Sequence, residues 1–542
     1  MRVSLKQAQN LVGEARFQAY ACLDATGTRE IFDNLLPKLN EDTARVYAWA
    51  RCQQAPAVMM TLRGVRVDTV ELAKARRRTA QELNAVIEKI RNCAAVKEFW
   101  AEKMLNSGDC PEAPPRSNGS PGKHLWPRKT KKNPVVPPPE EMTCQRCGAP
   151  RLIPKPFLPT SDDAVKKLLY TYIKAPKQFG KTGSLTADGD ALDTLRAVGT
   201  RKKKFECLVE LCDLLKECRD LSKQQGFLNA EIKDGRYYSS FNVGAAWTGR
   251  FSSSQDPFGN GGNLQNIAEK NRKIFTADPN YLMFYADLKT AESMLVAYLS
   301  GEEKYIEAHK SDVHTFVCRE VWKDELPWTG DIKQDKKIAT SHNPPWDTAP
   351  GHDYRFQSKR VQHGSNYGLT PFGMAIIAHI PVAAAKEAQQ RYFEAFPGIR
   401  DWQRHVIERV ERGLPIYNPF GRVVRLTGRP WDSHTHKQGL AFGPQSGVAD
   451  ILNMAMWRVF SRYDPDLIQI LAQVHDAILG QFPADRKDEA IAALMEAMQI
   501  TFPIEDIHGK VRYCTIPVEI AVGHNWGKAS EENPHGLKEV KL

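Results

Sequence analysis

Between Tyr281 and Gly301 the chain changes its hydrophobic period once, and that change fixes where an acidic side chain must lie. Tyr281 to Ala286 are all apolar or aromatic and predict a buried strand, whereas Ala291, Met294, Leu295, Tyr298 and Leu299 recur at helical spacing. Asp287 falls at the junction, where a strand gives way to a helix. A carboxylate at the end of a buried strand is costly unless it is solvated, paired or bound to a cation. Alone, such an aspartate is more often a helix N-terminal residue than a ligand.

A second aspartate changes the balance. LIQILAQVHDAILGQFP runs apolar through Val474, breaks at His475-Asp476 and resumes with Ala477, Ile478 and Leu479, the pattern of two strands joined by a tight polar turn. Asp287 and Asp476 on adjacent strand ends would hold two Mg²⁺ ions, hard cations that take oxygen ligands and leave positions free for phosphates and an attacking hydroxyl. A site of that kind transfers phosphoryl or nucleotidyl groups.

Charge points the same way. The 542 residues carry a formal net charge of +11, which favours a polyanionic partner over a solvated basic surface only when joined to other signals. The N-terminus lacks the apolar core of a signal peptide, and no stretch approaches the roughly 18 uncharged apolar residues needed to cross a bilayer, so no membrane is expected and the cytoplasm is the expected compartment, that of the host cell if the chain is viral. Most of the 11 cysteines sit in helical patterns and read as reduced thiols.

Three further stretches matter. In DYRFQSKRVQHGSNYGL, the residues Arg355, Lys359, His363 and Tyr367 recur every fourth position and line one helical stripe, basic at one end and aromatic at the other, which suits the phosphates and the sugar or base of a nucleotide. The long helix after Gly64 carries a basic run, Lys74 to Arg78, equally fit for tracking phosphates or for simple solvation. Residues 101–157 hold twelve of the chain's 34 prolines and keep neither period, so they read as an insertion or linker. Within them Cys144 and Cys147 form a C-x2-C knuckle, with Cys110 and His124 as further ligands for a structural Zn²⁺; two unligated thiols are the alternative. QFGKTGS lacks the first glycine and the preceding strand of a phosphate-binding loop and is not read as one.

Taken in order, TGRFSSS with NLQNI, DLKTAESMLVAYLSG, the R-x3-K-x7-YG helix, GPQSGVADI, VHDA and IPVEIAVGHNW resemble the family A DNA polymerases, the bacterial DNA polymerase I type, from about Gly64 to Trp526. The resemblance implies an α+β right-hand fold: palm with an antiparallel sheet at 241–301 and 413–542, helical fingers at 302–412, and thumb at 64–240 interrupted by 101–157. It also implies roles. Asp287 and Asp476 would be the metal-binding carboxylates, Arg355 and Lys359 would clasp the dNTP, Tyr367 with Gly368 would gate the templating position, and Glu292 would exclude a ribose 2′-hydroxyl. Arg250, Gln445, His475 and Asn266 would contact primer–template DNA; minor-groove acceptors are nearly independent of sequence, so such donors can sense pair shape without reading the base. Departures from the pattern are His363 for the usual Phe or Tyr, Ala477 for the acid that commonly follows the second aspartate, and Lys437 for an arginine.

Tyr20 and Asp24 resemble the last motif of a 3′–5′ exonuclease, and with nineteen residues before Tyr20 the segment 1–63 reads as a vestige or fragment, so no proofreading in cis is expected. The 101–157 insertion resembles in position the loop by which some bacteriophage polymerases recruit a processivity factor. A bacteriophage replicative enzyme is the resulting expectation. Its rivals are a single-subunit enzyme that makes RNA, against which Glu292 argues, and a non-catalytic nucleic-acid-binding protein on the same scaffold, against which the retained aspartates argue.

Overall fold

The computed structural model describes residues 25, 27–105, 144–146, 157–180, 183–347, 351–378 and 380–541. Its centre is an antiparallel five-stranded sheet of β1 (Tyr281–Leu288), β2 (Gln469–Val474), β3 (Ala477–Pro483), β4 (Val518–Gly523) and β5 (Lys538–Glu539), in the order β5-β4-β1-β3-β2. β1 is flanked on both sides, so Asp287 lies directly across from Ala477 on β3 and from Glu519 on β4. The strand outruns its expected end by two residues: it includes Asp287 and Leu288, and the helix α1 (Ala291–Ser300) starts after Thr290, which turns the chain at φ 49°.

β3 is buried over six of its seven residues, which is why its sequence is a continuous apolar run rather than an alternation. Within it Gly480 has no side chain because the Phe284 ring of β1 occupies the place: a Cβ built there would lie 2.3 Å from Phe284 Cζ and 2.6 Å from the Gln469 carbonyl oxygen. Phe284 in turn stacks on Phe482 with centroids 5.8 Å apart.

Two helical bodies adjoin the sheet. One core, between Val296 and Phe442, packs around Tyr305, Tyr392 and Phe396; within it runs α2 (Tyr354–Asn366). Another lies between the helices Thr69–Asn92, Gly189–Arg201 and Cys207–Leu228. The long helix α3 (Ser433–Arg462) buries Val448, Ile451, Leu452 and Ala455 in the sheet's core.

Several expectations change. The helix Glu41–Arg63, which the sequence reading left within an exonuclease-like segment, packs Ala57 and Met60 into the core of the central sheet. Both ends of the 64–240 stretch, through Val65, Val67 and Tyr237, join that same core, and its middle forms the separate helical one. The basic run is engaged internally: Lys74 pairs with Glu71 at 2.6 Å, Arg76 donates to the Leu228 carbonyl at 2.8 Å and Arg78 to Asn271 Oδ1 at 2.7 Å. The helix Ala94–Leu105 extends into the stretch expected to be irregular from 101. Tyr20, Asp24, Cys110, His124 and Cys147 lie outside the described residues, and Cys144 is buried.

Because the obstacle at Gly480 includes backbone, an added methyl group cannot be relieved by a rotamer change alone. Gly480→Ala is expected to cost about 1–3 kcal/mol, read as a lower urea midpoint at unchanged m-value; a change within 0.5 kcal/mol, on the order of a neutral surface substitution, would refute the close approach.

Candidate active site

Two left-handed turns bring the aspartates together. Thr290 (φ 49°) ends the excursion of β1, and His475 (φ 53°) forms the two-residue turn between β2 and β3 that presents Asp476. The Leu288 amide donates to the Asp476 carbonyl at 3.2 Å, fixing that turn to the end of β1. Asp287 and Asp476 line a cleft of about 340 Å³ together with Glu292, Lys359, His363 and Tyr367.

One guanidinium serves two of the acids. Arg250 Nη2 donates to Glu292 Oε1 at 2.5 Å and to Asp476 Oδ1 at 3.1 Å, while the Tyr367 hydroxyl donates to Glu292 Oε2 at 2.6 Å. Burial pulls the Arg250 pKa down, yet Asp476 and Glu292 outweigh it and hold the group above its ordinary value. Its Nε is buried and makes no hydrogen bond to protein. Burial raises the Tyr367 hydroxyl far above its usual range, with Glu292 adding to the effect.

Asp287 has no such cation bonded to it in the described structure. Burial first, then the charges of Asp476 and Glu519, push its carboxyl up to about 7. Burial also raises Asp476, against the pull of Arg250. The donors are hard oxygens on a crowded anionic wall, which fits Mg²⁺, an ion commonly held by one or two carboxylates together with substrate phosphates. Among the described residues no cluster of three or more His, Cys, Asp or Glu side chains is arranged to hold a metal by itself.

The cationic stripe is divided. Lys359 faces the cleft, but Arg355 is clasped by Asp312 through Nη2, 2.9 Å from each carboxylate oxygen, and donates from Nε to Thr315 Oγ1 at 3.2 Å. Burial would raise Asp312; the Arg355 guanidinium prevails and holds it down at about 2. His363 meets the edge of Tyr367, centroids 5.0 Å apart. Tyr367 lies one residue past α2, and Gly368 follows it at φ 69°. Gln445 on α3, Asn266 in the turn Leu264–Asn266, and His475 stand outside the lining of the cleft.

The sequence reading missed Ser293, His314, Gln362 and Asn366, all of which line the cleft. Gln362 and Asn366 were within reach, being on the same α2 sequence as Lys359. His314 was signalled by Asp312, which caps the helix Val313–Val321 by accepting from the Thr315 amide at 3.1 Å. Glu519, paired with Lys289, sits in the terminal strand, where no local pattern signals its neighbour Asp287.

These features define a right-hand polymerase fold, and its match with solved structures agrees: the POL domain of Pol1 from M. smegmatis, in complex with DNA primer-template and dNTP, superposes at a TM-score of 0.60 with 22% identity over 88% of this chain and 69% of that one. The sequence model of DNA polymerase family A matches residues 146–528, and the chain belongs to that family. Among its relatives, the thermostable DNA polymerase I of Thermus filiformis is 28% identical over 404 residues, 70% of this chain and 43% of that protein. DNA polymerase I of Mycobacterium bovis is 26% identical over 388 residues, 68% of this chain and 38% of the relative. The chain thus spans less than half the length of the curated relatives it matches.

The raised Asp287 pKa has a defined sign. Its charged form is disfavoured by folding, so the penalty is absent below the ordinary value of 3.8, grows as pH rises toward about 7, and is complete above that. In EDTA, Asp287→Asn is expected to stabilise the fold by about 1–3 kcal/mol at pH 8 and by little at pH 4, measured by urea unfolding. Equal stability of the two proteins at pH 8 would contradict the burial and repulsion assigned here.

Proposed function

We propose that this chain is a template-directed DNA polymerase that joins a deoxynucleoside monophosphate to a primer 3′-hydroxyl. The observation that carries the reading is the meeting of Asp287 and Asp476 in one cleft with Lys359 and Tyr367, in a member of this family.

Asp287 and Asp476 would hold a pair of Mg²⁺ ions, which when bound supply a lowered hydroxyl pKa and charge neutralisation at the phosphates. Lys359 places a point charge where the triphosphate enters, and Arg355 joins it once it exchanges Asp312 for phosphate. Glu292, held from both sides by Tyr367 and Arg250, presents a fixed carboxylate toward the nucleotide sugar; a ribose 2′-hydroxyl there is crowded, and the Tyr367 contact has to break to relieve it. Tyr367, at the end of α2 with Gly368 as a flexible joint, moves with the helix. His363 offers a ring N–H beside the sugar, where an aromatic hydrocarbon could not donate.

Arg250 sits between chemistry and DNA. Its buried, unpaired Nε and its grip on Asp476 suit a group that changes partners when a primer terminus arrives, and Gln445, His475 and Asn266 lie on the elements around it. The net charge of +11 supports nucleic acid as the partner. Absence of proofreading in cis, a bacteriophage replicative role and a processivity factor or a zinc site within 101–157 rest on the sequence alone; the relatives named above are bacterial.

Primer extension tests the reading. Asp287→Ala and Asp476→Ala are expected to lower extension by at least 10³-fold, roughly 4 kcal/mol, with primer–template affinity within a few-fold of wild type. Near-normal extension by either variant would end the assignment. Glu292→Ala should raise the rNTP-to-dNTP ratio of kcat/KM by an order of magnitude or more, since the steric and desolvation penalty leaves with the side chain; an unchanged ratio would remove Glu292 from sugar selection.

A further inference from the structure

The last turn of α2 is held from behind by two glutamines. Gln403 Nε2 donates to the carbonyls of Ser365 at 2.6 Å and Asn366 at 3.0 Å, and Gln389 Nε2 donates to the Leu369 carbonyl at 2.7 Å. A backbone carbonyl only accepts, so each amide has to present its NH₂ group to the chain and cannot be turned over without losing those bonds. Tyr367 and Gly368 lie between the clamped carbonyls, in a turn closed by the Leu369 amide on Gly364 at 2.9 Å and the Gly368 amide on Ser365 at 3.2 Å.

The final carbonyls of an α-helix have no partner within it. Ser365 and Asn366 are buried, so the two amides supply what water supplies at a surface. Gln389 and Gln403 come from the helices Val382–Ala395 and Pro397–Glu411, and the second of these is tied to α1: Glu302, two residues beyond the end of α1, accepts from the Gly398 amide at 2.8 Å. The same α1 carries Glu292, which accepts from the Tyr367 hydroxyl at 2.6 Å. The contacts close a circuit: from Glu292 along α1 to Glu302, through Gly398 to Gln403, across to the end of α2, and back through Tyr367. Both partners of the Tyr367–Glu292 bond are therefore placed within one frame.

We propose that Gln403 and Gln389 are positioning residues for sugar selection: by fixing the backbone on either side of Tyr367 they hold its hydroxyl on Glu292, and so keep that carboxylate where a ribose 2′-hydroxyl has to displace it. The inference rests on the polymerase reading and deepens it.

Glu292 has two holders, and they are not equivalent. Arg250 divides its Nη2 between Glu292 and Asp476, whereas the Tyr367 hydroxyl has a single proton and gives it to Glu292. A deoxynucleotide leaves the Tyr367 bond intact. A ribonucleotide enters only by moving the carboxylate, so the firmness of that bond is a penalty on one sugar and not on the other. Ser365, Leu369, Gln389 and Gln403 stand outside the lining of the cleft, so the amides act on selectivity through the end of α2 and not by touching the nucleotide.

The test is the rNTP-to-dNTP ratio of kcat/KM in primer extension by the full chain, a ratio in which the amount of folded enzyme cancels. Gln403→Met and Gln389→Met keep the length of the side chain and remove the donor; each is expected to raise the ratio by about tenfold, the scale of one buried hydrogen bond. Gln403→Glu, which keeps the shape and sets an acceptor against two carbonyls, should raise it at least as far. In a Tyr367→Phe background, where the hydroxyl is gone, Gln403→Met should add nothing, because both changes act through one bond. If Gln403→Met does not fold, Gln389→Met with and without Tyr367→Phe completes the same cycle. An unchanged ratio in the glutamine variants overturns the inference, as does a full further rise in the Tyr367→Phe background. Failure of the wild-type chain to extend with either sugar would instead bring down the polymerase reading.

Discussion

Mutual repulsion among half-buried carboxylates is the constraint around which this site is arranged. Asp287, Asp476 and Glu292 line one cleft, with Glu519 across the strand from Asp287. Arg250 answers two of these charges, the Tyr367 hydroxyl supports one, and Lys289 pairs with Glu519. Asp287 has no bonded cation, and burial first, then the charges of Asp476 and Glu519, raises its pKa. The site is therefore unfinished without added positive charge, and its side chains come from two bodies, the central sheet and the helical core around Tyr305.

The parts of this arrangement that were legible in sequence are those where a side chain's role is set by its own element. A strand that ends in an aspartate, a two-residue turn between apolar runs, and a four-residue stripe on one helix each announce themselves within twenty residues. The parts that were not legible are partnerships. Arg250 reaches Asp476 across 226 positions, and Arg355 reaches Asp312 across 43; no period reports such contacts. The helix Glu41–Arg63 was missed for a local reason, since it carries Pro56 inside it and its apolar positions do not form one clean face. Gln362 and His314 were hidden because a histidine and a glutamine in helices are ordinary until the fold brings them together.

Loss of the acid at Ala477 looks, in sequence, like a weakening of the metal wall. In the fold the neighbour on the opposite side of Asp287 is Glu519, so the strand still has a carboxylate beside it, reached from β4 instead of β3. Which strand carries the extra charge decides which space it faces: Glu519 and Asp287 together line a second cavity, shared with Arg272 and Trp526. The anionic field around Asp287 is thus spread over two openings.

The glycine of β3 has a bearing on this chemistry although it touches none of it. A strand can pair with its neighbours in several offsets, and a slip of one residue would pass Asp287 through the sheet to the opposite face. Phe284 can lie flat against β3 only where the partner has no side chain, and Gly480 is the sole glycine of that strand. The pair works as a key cut for one lock position, some three residues, roughly 10 Å of strand, away from the carboxylate whose facing it guarantees.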